Sequence, residues 1–281
     1  MRFVSYTHDG RPYAGVVDGD HVVPLRGARE LGRDTPIEVL ATPDLDEASR
    51  MPLADVRLRP VVPEPQKIIC VGLNYRSHVT ETKRELPTYP VLFTKFPSSL
   101  IGADDPILLP RESTQVDYEA ELAVVIGRTA RRVAKEDARD VIAGYTIAND
   151  VTMRDYQYKT HQWLQGKAWD GSTPLGPHLI TEDEIGDRID KLSVTLTLNG
   201  EVLQSSDTSR LIFDIPTLIS TVSEFTTLLP GDVILTGTPG GVGFRRNPPV
   251  FLTPGDQVVV SIDGLGELAS TVKAEPASTT S

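Results

Sequence analysis

The stretch "VDYEAELAVVIG", residues 116 to 127, decides how this chain is read. Its Val, Leu and Ile content calls for a buried β-strand, yet it carries Glu119 and Glu121 two positions apart. Side chains alternate across a strand, so both carboxylates project from one face, their Cβ atoms roughly 7 Å apart. Like charges that close push each other toward protonation unless a cation lies between them. Asp117 shares their parity but sits near the start of the strand. A solvent-facing edge is the ordinary reading of a lone Glu-x-Glu, and a metal site is the other. A second segment strengthens the latter: "GYTIANDVTMRDYQ" (144–157) ends an apolar run in Asn149-Asp150. Three carboxylates form a hard-oxygen set suited to magnesium or manganese, with calcium also admissible. The absence of a His or Cys cluster in the sequence argues against zinc.

Outward from that stretch, strand-like runs outnumber helical ones. "KIICVGL", "VLFTKF", "ELAVVIG", "VIAGYTIAND", "LSVTLTLNG", "DVILTGTP" and "DQVVVSIDGLGELASTVKA" read as strands. Helical signals are confined to "NYRSHVTETKREL", "AKEDARDVIAG" and "IFDIPTLISTVSEFTTL", with Asp214 or Ser220 near helix ends. Gly and Pro punctuate the gaps, which favours a β-rich α+β fold over a doubly wound one. Residues 1–63 read as a small N-terminal β domain: Asp-Gly turns at 9–10 and 18–19 form a meander, followed by a helical piece in "TPIEVLATPDLDEASRM". "LRPVVPEPQ" reads as a proline-stiffened linker, residues 66–274 as the larger domain, and 275–281 as a disordered tail.

A chain of 281 residues can bury a sizeable core, and its net charge of −11 disfavours polyanionic partners such as nucleic acid or an anionic membrane. An anionic substrate must therefore meet local positive charge. No apolar run approaches the roughly 20 residues needed to cross a bilayer, and "MRFVSYTHDG" turns polar too early for a signal peptide, so the expected location is cytoplasmic. The lone Cys70 rules out an intrachain disulfide and reads as a buried apolar residue.

Other polar positions join the carboxylates as candidates. In "GLNYRSHVTETK", His78 and Glu81 share a helix face at i, i+3, where a carboxylate can orient an imidazole and raise its basicity. Lys167 follows Gly166 in a stiff loop that can present its ammonium to an anion. "LTGTPGGVG" offers backbone N–H groups at Gly237 and the hydroxyl of Thr238, but lacks the ending of a P-loop.

Taken in order, "VGLNYRSHVTE", "FTKFPSSLIG", "VDYEAELAVVIG", "GYTIANDVTMRDYQ", "QGKAWDGSTPLGP", "LIFDIPTLIS" and "LLPGDVILTGTPGGVG" resemble the fumarylacetoacetate hydrolase family over residues 69–243. The resemblance implies a mixed β-sandwich roll, a homodimer, and a divalent metal held at Glu119, Glu121 and Asp150. It implies that His78 and Glu81 form an activating dyad and that Lys167 lies beside the substrate. Gln157, Arg154, Lys95, Ser99, Gly237 and Thr238 follow as substrate contacts. The implied substrate is a small anionic 2-oxo acid, and the expected reaction is hydrolysis of acylpyruvates such as fumarylpyruvate to pyruvate and a carboxylic acid. Decarboxylation of β-keto acids such as oxaloacetate, isomerisation of hydroxy-dienedioates, and an inert metal or ligand-binding protein are the alternatives. Lys83 and Arg84 stand as candidates for attracting a second substrate carboxylate.

Overall fold

The computed structural model describes residues 1–276. Most of the expected tail, 275–281, lies outside the described residues; at its start the Glu275 N–H donates to the Leu109 carbonyl (2.9 Å). The strand-like runs form two principal sheets. The larger has as its main path Met51–Pro52, His21–Pro24, Arg11–Asp18, Arg2–His8, Thr173–Thr181, Ile142–Asn149, Ala120–Ile126, Val233–Leu235, Ile68–Gly72 and Val91–Lys95. The smaller runs Glu201–Asp207, Ser193–Leu198, Gln257–Ile262, Gly266–Ala274 and Ile107–Leu109. Pairing is mostly antiparallel, with parallel contacts between Val233–Leu235 and Ile68–Gly72 and between Gly266–Ala274 and Ile107–Leu109. The fold is thus α+β, rich in strands and mixed.

The strand Ala120–Ile126 is buried on both faces. Leu122, Val124 and Ile126 enter a core shared with Val194, Leu196, Val258 and Val260 of the smaller sheet. Ala123 and Val125 point the other way, into a core with Phe3, Val16, Leu25, Val61 and Val62. Glu121 continues the parity of Ala123 and Val125 at the N-terminal end of the strand. A polar site therefore opens where one side of the central sheet stops being covered by apolar side chains.

Segment 1–60 is knitted into this sheet, because Arg2–His8 pairs antiparallel with Thr173–Thr181. The stretch expected to be a linker is core: Val61 and Val62 are fully buried, and the Val61 N–H donates to the Leu175 carbonyl (3.0 Å). Burying each valine contributes roughly 1.5–3 kcal/mol, which outweighs the exposed, extended habit that flanking prolines suggest.

Helices are fewer and shorter than the sequence suggests. Ile215–Phe225 is capped by Asp214, whose Oδ1 accepts from the Thr217 N–H (2.9 Å), while Ser220 lies inside the helix rather than at its end. The stretch 134–144 divides into a 3₁₀ helix, Lys135–Val141, and the start of the strand Ile142–Asn149, because pairing with Ala120–Ile126 claims the β-branched residues. The segment 74–86 is helical only over Arg76–Glu81; the Thr82 hydroxyl donates back to the His78 carbonyl (2.8 Å), and Lys83 turns left-handed at φ 55°. In 35–51 only Ile37–Ala41 is α-helical, stopping before Thr42-Pro43, and Glu47–Ser49 adds a 3₁₀ turn. Among the described residues no helix is long and apolar enough to cross a membrane.

Candidate active site

Glu119, Glu121 and Asp150 meet at the end of the central sheet, each offering an oxygen within 4.8 Å of the other two. All three are buried. The two chain segments are locked side by side: the Asp150 N–H donates to the Glu119 carbonyl (2.9 Å), and the Glu119 N–H donates to Asn149 Oδ1 (2.9 Å). Three buried cations surround the acids. Lys167 Nζ lies 2.7 Å from both Glu119 Oε2 and Asp150 Oδ2. Lys95 Nζ reaches Asp150 Oδ1 at 2.7 Å, and Arg154 pairs with Asp117 (2.8 Å) and Glu119 Oε1 (2.6 Å).

Glu121 differs from its neighbours. Among the described residues it has no ion-pair partner, and it accepts a hydrogen bond from the Gly237 N–H (2.8 Å). Burial, followed by the charges of Asp150 and Glu119, pushes its carboxyl well above the usual range. Burial also opposes ionisation of Glu119, but Lys167 and Arg154 outweigh it and hold that carboxyl at about 2. Burial works against the Lys167 ammonium too, and Asp150 and Glu119 more than reverse the effect, keeping it charged. This donor set fits a divalent cation: the oxygens are hard, close and buried, and Glu121, the acid without an ion-pair partner among the described residues, is the one whose ionisation a cation would favour.

Local sequence explains the placement. Gly237 adopts φ 104°, and a Cβ there would lie 2.8 Å from Asn74 Cβ, so only glycine lets this backbone N–H reach Glu121. At Gly166 a Cβ would sit 2.5 Å from Gln157 Cα, so the missing side chain allows the turns Leu164–Lys167 and Arg154–Gln157 to touch, setting Lys167 beside Gln157. Arg154 Nη1 donates to Gln157 Oε1 (3.0 Å), which leaves the Gln157 amide nitrogen free to donate into the cleft.

His78 and Glu81 do share a helix face, with Nδ1 3.3 Å from Glu81 Oε2; the other Glu81 oxygen accepts from the Gly241 N–H (3.0 Å). Because a carboxylate only accepts, Nδ1 carries the proton and Nε2 is left for chemistry. His78, Glu119, Glu121, Arg154, Gln157, Lys167 and Thr238 all line one narrow cleft of about 30 Å³. Thr238 is held there by Gln204, whose Nε2 donates to its hydroxyl (2.8 Å).

Three expected substrate contacts do not line the cleft, the first being Gly237, whose N–H is taken by Glu121. Ser99 is fully buried and its hydroxyl donates to the Phe96 carbonyl (2.7 Å), closing its own 3₁₀ turn, so it does not line the cleft. Lys95 lies behind Asp150 and likewise does not line the cleft. Other participants were not singled out from sequence. Phe93, Tyr158 and Trp163 form an aromatic wall, and Leu73 lines the floor in a left-handed conformation, φ 57°. Asp117, noticed for its parity alone, accepts from the Gly243 and Phe244 N–H groups (2.8 and 2.9 Å) as well as from Arg154. Tyr158 and Trp163 lie outside helices and strands, where no periodicity marks them.

A family model described as fumarylacetoacetate (FAA) hydrolase, C-terminal, matches residues 67–273. The chain belongs to the fumarylacetoacetate hydrolase family. A second model, Rv2993c-like, N-terminal, matches residues 1–60. Within the family, the chain is 47% identical over 221 residues to the mitochondrial oxaloacetate tautomerase fahd2 of Xenopus laevis, an alignment covering 78% of this chain and 69% of that protein. The solved structure of a fumarylacetoacetate hydrolase from Exiguobacterium antarcticum is 39% identical, with a TM-score of 0.85, covering 98% of this chain and 100% of the other. A 5-carboxymethyl-2-hydroxymuconate delta-isomerase from Mycobacterium smegmatis is 35% identical, with a TM-score of 0.83 and the same coverage. Family members are enzymes that typically use a divalent metal, and the acidic cluster is where this chain can hold one.

Proposed function

We propose that this chain is a divalent-metal-dependent enzyme that moves a proton between oxygen and carbon in a 2-oxo acid, acting as a keto–enol tautomerase or isomerase of the oxaloacetate type. The observation that carries the reading is the meeting of Glu119, Glu121, the Lys167 ammonium and His78 in one cleft, with Asp150 completing the carboxylate cluster and Glu81 paired to His78. The names of the similar proteins share this chemistry: an oxaloacetate tautomerase and a hydroxymuconate isomerase both shift a proton next to a 2-oxo or 2-hydroxy-ene carboxylic acid.

Bound between Glu119, Glu121 and Asp150, a divalent ion would supply Lewis acidity that favours the enol form of a 2-oxo acid. The remaining steps belong to the chain. Glu81 fixes the His78 ring and its tautomer, so that Nε2 can take a proton from the carbon beside the carbonyl and return it. Lys167, kept charged by its two carboxylate partners, and the free amide of Gln157 stabilise negative charge developing on the substrate oxygen. Arg154, fixed by Asp117, holds Gln157 in register.

The second reading is hydrolysis of an acylpyruvate, favoured by the same dyad, because a base that can take a carbon-bound proton can also take one from water. Water would add to the distal carbonyl, the carbon–carbon bond would break, and pyruvate and a carboxylic acid would leave. Magnesium is the preferred ion in both readings, and a homodimer is the assembly that family resemblance supports. Proton NMR in D₂O with magnesium distinguishes the readings, with EDTA controls. Catalysed deuterium entry at C3 of oxaloacetate, lost on chelation, supports tautomerisation. Fumarate and pyruvate from fumarylpyruvate, without enhanced exchange of oxaloacetate, would replace it by hydrolysis. Neither activity would overturn both.

A further inference from the structure

The loop 236–243, "TGTPGGVG", directs four backbone N–H groups at side chains of the site. Those of Gly237, Gly241 and Gly243 donate to the carboxylates of Glu121 (2.8 Å), Glu81 (3.0 Å) and Asp117 (2.8 Å). That of Gly240 donates to Ser77 Oγ (3.1 Å), next to His78 on the same helix. One irregular segment therefore touches the carboxylate cluster, the acid–base pair and the acid that fixes Arg154. Its middle is held by a residue of the smaller sheet. Gln204, in the strand Glu201–Asp207, is buried and does not line the cleft. Its Oε1 accepts from the N–H of Ala120, the residue between Glu119 and Glu121 (2.9 Å). Its Nε2 donates both protons to the loop, to the Thr238 hydroxyl (2.8 Å) and the Pro239 carbonyl (2.9 Å). Exchanging the two amide atoms would set donor against donor at Ala120 and acceptor against acceptor at Pro239, so the orientation is fixed. The loop rests directly on this strand: at Gly241 a Cβ would lie 2.1 Å from the Leu203 carbonyl oxygen.

We propose that Gln204 is a positioning residue that sets His78 and Glu81 against the carboxylate cluster, acting through the loop. The inference rests on the proposed role of His78 as the group that carries the proton. The two sides of the Gln204 amide are unequal. On the Ala120 side the strand Ala120–Ile126 is paired along both edges, and Asn149 holds the Glu119 N–H, so the carboxylates keep their places without Gln204. On the other side, 238–241 belongs to no strand or helix, and its placement depends on side-chain contacts. Tyr118 and Arg246 reach the Gly241 carbonyl at 3.2 and 3.3 Å, whereas Gln204 grips Thr238 and Pro239 at shorter range. Releasing that grip moves the Gly240 and Gly241 N–H groups, and Glu81 and the His78 ring move with them. A displacement of about 1 Å in a proton-transfer geometry costs up to about 10²-fold in rate.

Q204M keeps the side chain's length and removes its hydrogen bonds. In the magnesium-loaded protein it should lower kcat for deuterium entry into oxaloacetate by about 10- to 100-fold, with the magnesium Kd from calorimetry within about threefold of the parent. Added to H78Q it should cost less than about twofold, because a residue that acts through His78 then has nothing left to act on. Proton–nitrogen NMR gives a readout free of turnover: the His78 Nδ1 proton, assigned by its absence from H78Q, should exchange with water faster in Q204M. S77A removes an exposed contact of the same loop and leaves the core intact, so it keeps the proposal testable if Q204M does not fold; it should move kcat and the NMR signal in the same direction by about two- to fivefold. An unchanged His78 signal in these variants, full additivity with H78Q, or a loss of magnesium affinity as large as the loss of kcat would overturn the assignment. A His78 signal that responds to Q204M in a protein without turnover would leave Gln204 as proposed and overturn the reading of the cleft. A His78 proton unprotected in the parent would overturn both.

Discussion

Replacing Glu121 with Gln should stabilise the metal-free protein and weaken the metal-loaded one. In the absence of metal Glu121 faces Glu119 and Asp150 oxygens within 4.8 Å with no ion-pair partner among the described residues, so it must either ionise against two like charges or hold a proton that the unfolded chain releases at neutral pH. At an effective dielectric of about 20, one unit of like charge at that distance costs roughly 3 kcal/mol per neighbour. Lys167 and Arg154 offset part of this through Glu119 and Asp150, leaving a net cost of roughly 1–2 kcal/mol. Glutamine keeps an acceptor for the Gly237 N–H and removes the ionisable group. For a chain of this size each kcal/mol moves the melting temperature by about 2 °C, so E121Q should melt about 2–4 °C above the parent in EDTA. Metal reverses the order. At an ion concentration of about 100 Kd the parent gains about 2.7 kcal/mol, whereas a variant bound a hundredfold more weakly gains about 0.4 kcal/mol. Thermal melts with EDTA and with magnesium should therefore cross. A variant that melts below the parent in EDTA, or that keeps the parent's full magnesium shift, would refute the electrostatic reasoning.

H78Q should lower turnover of the proposed substrates by about 10²–10⁴-fold while keeping the magnesium-induced melting shift, since His78 is outside the carboxylate cluster; steady-state kinetics and melts on the same preparation check it. G166A places a Cβ 2.5 Å from Gln157 and forces two turns apart, so it should cost about 1–3 kcal/mol and at least tenfold in kcat, because Lys167 moves with its turn. His178 provides a pH test away from the cleft: burial, with Arg2 nearby, lowers its pKa from 6.5 to about 4. A proton that binds the unfolded chain first removes stability as the pH falls, so this contribution is intact above about 6.5 and lost toward 4, amounting to roughly 2–3 kcal/mol. H178Q should flatten that part of the denaturation profile, and an unchanged slope between pH 6.5 and 4 would contradict it.

The carboxylates were legible in the sequence because a strand's period of two is rigid: an apolar run with Glu at 119 and 121 must put both on one face. The dyad was legible because helical spacing brings His78 over Glu81 even in a helix of six residues. The same logic misjudged Lys95 and Ser99. Position along "FTKFPSS" indicates proximity to the site, but whether a side chain enters the cleft or lies behind it depends on the next strand over. Lys95 turns toward Asp150 from behind, and Ser99 satisfies its own backbone. Val61 and Val62 were hidden for a related reason: prolines around them set the local backbone, while distant contacts with the Thr173–Thr181 strand decide burial. Trp163 and Tyr158 lie in irregular chain, where no period distinguishes a cleft wall from a surface loop.

The charge of the site accounts for how so acidic a chain can take an anion. Asp117, Glu119, Glu121 and Asp150 supply four buried carboxylates, and Lys95, Arg154 and Lys167 supply three buried cations. With the carboxylates ionised, one negative charge is left over, and its location is Glu121, the acid that no side chain pairs. In that state the cleft would repel a 2-oxo acid, in keeping with the net charge of −11 on the whole chain. A divalent ion changes the sign of the balance to one net positive charge, concentrated where the sheet ends and water is scarce, and field strength there is high because burial weakens screening. The carboxylate cluster, which at first looks like an obstacle to an anionic substrate, is thus the feature that lets an ion recruit one. The order of assembly follows from the electrostatics: ion first, then acid.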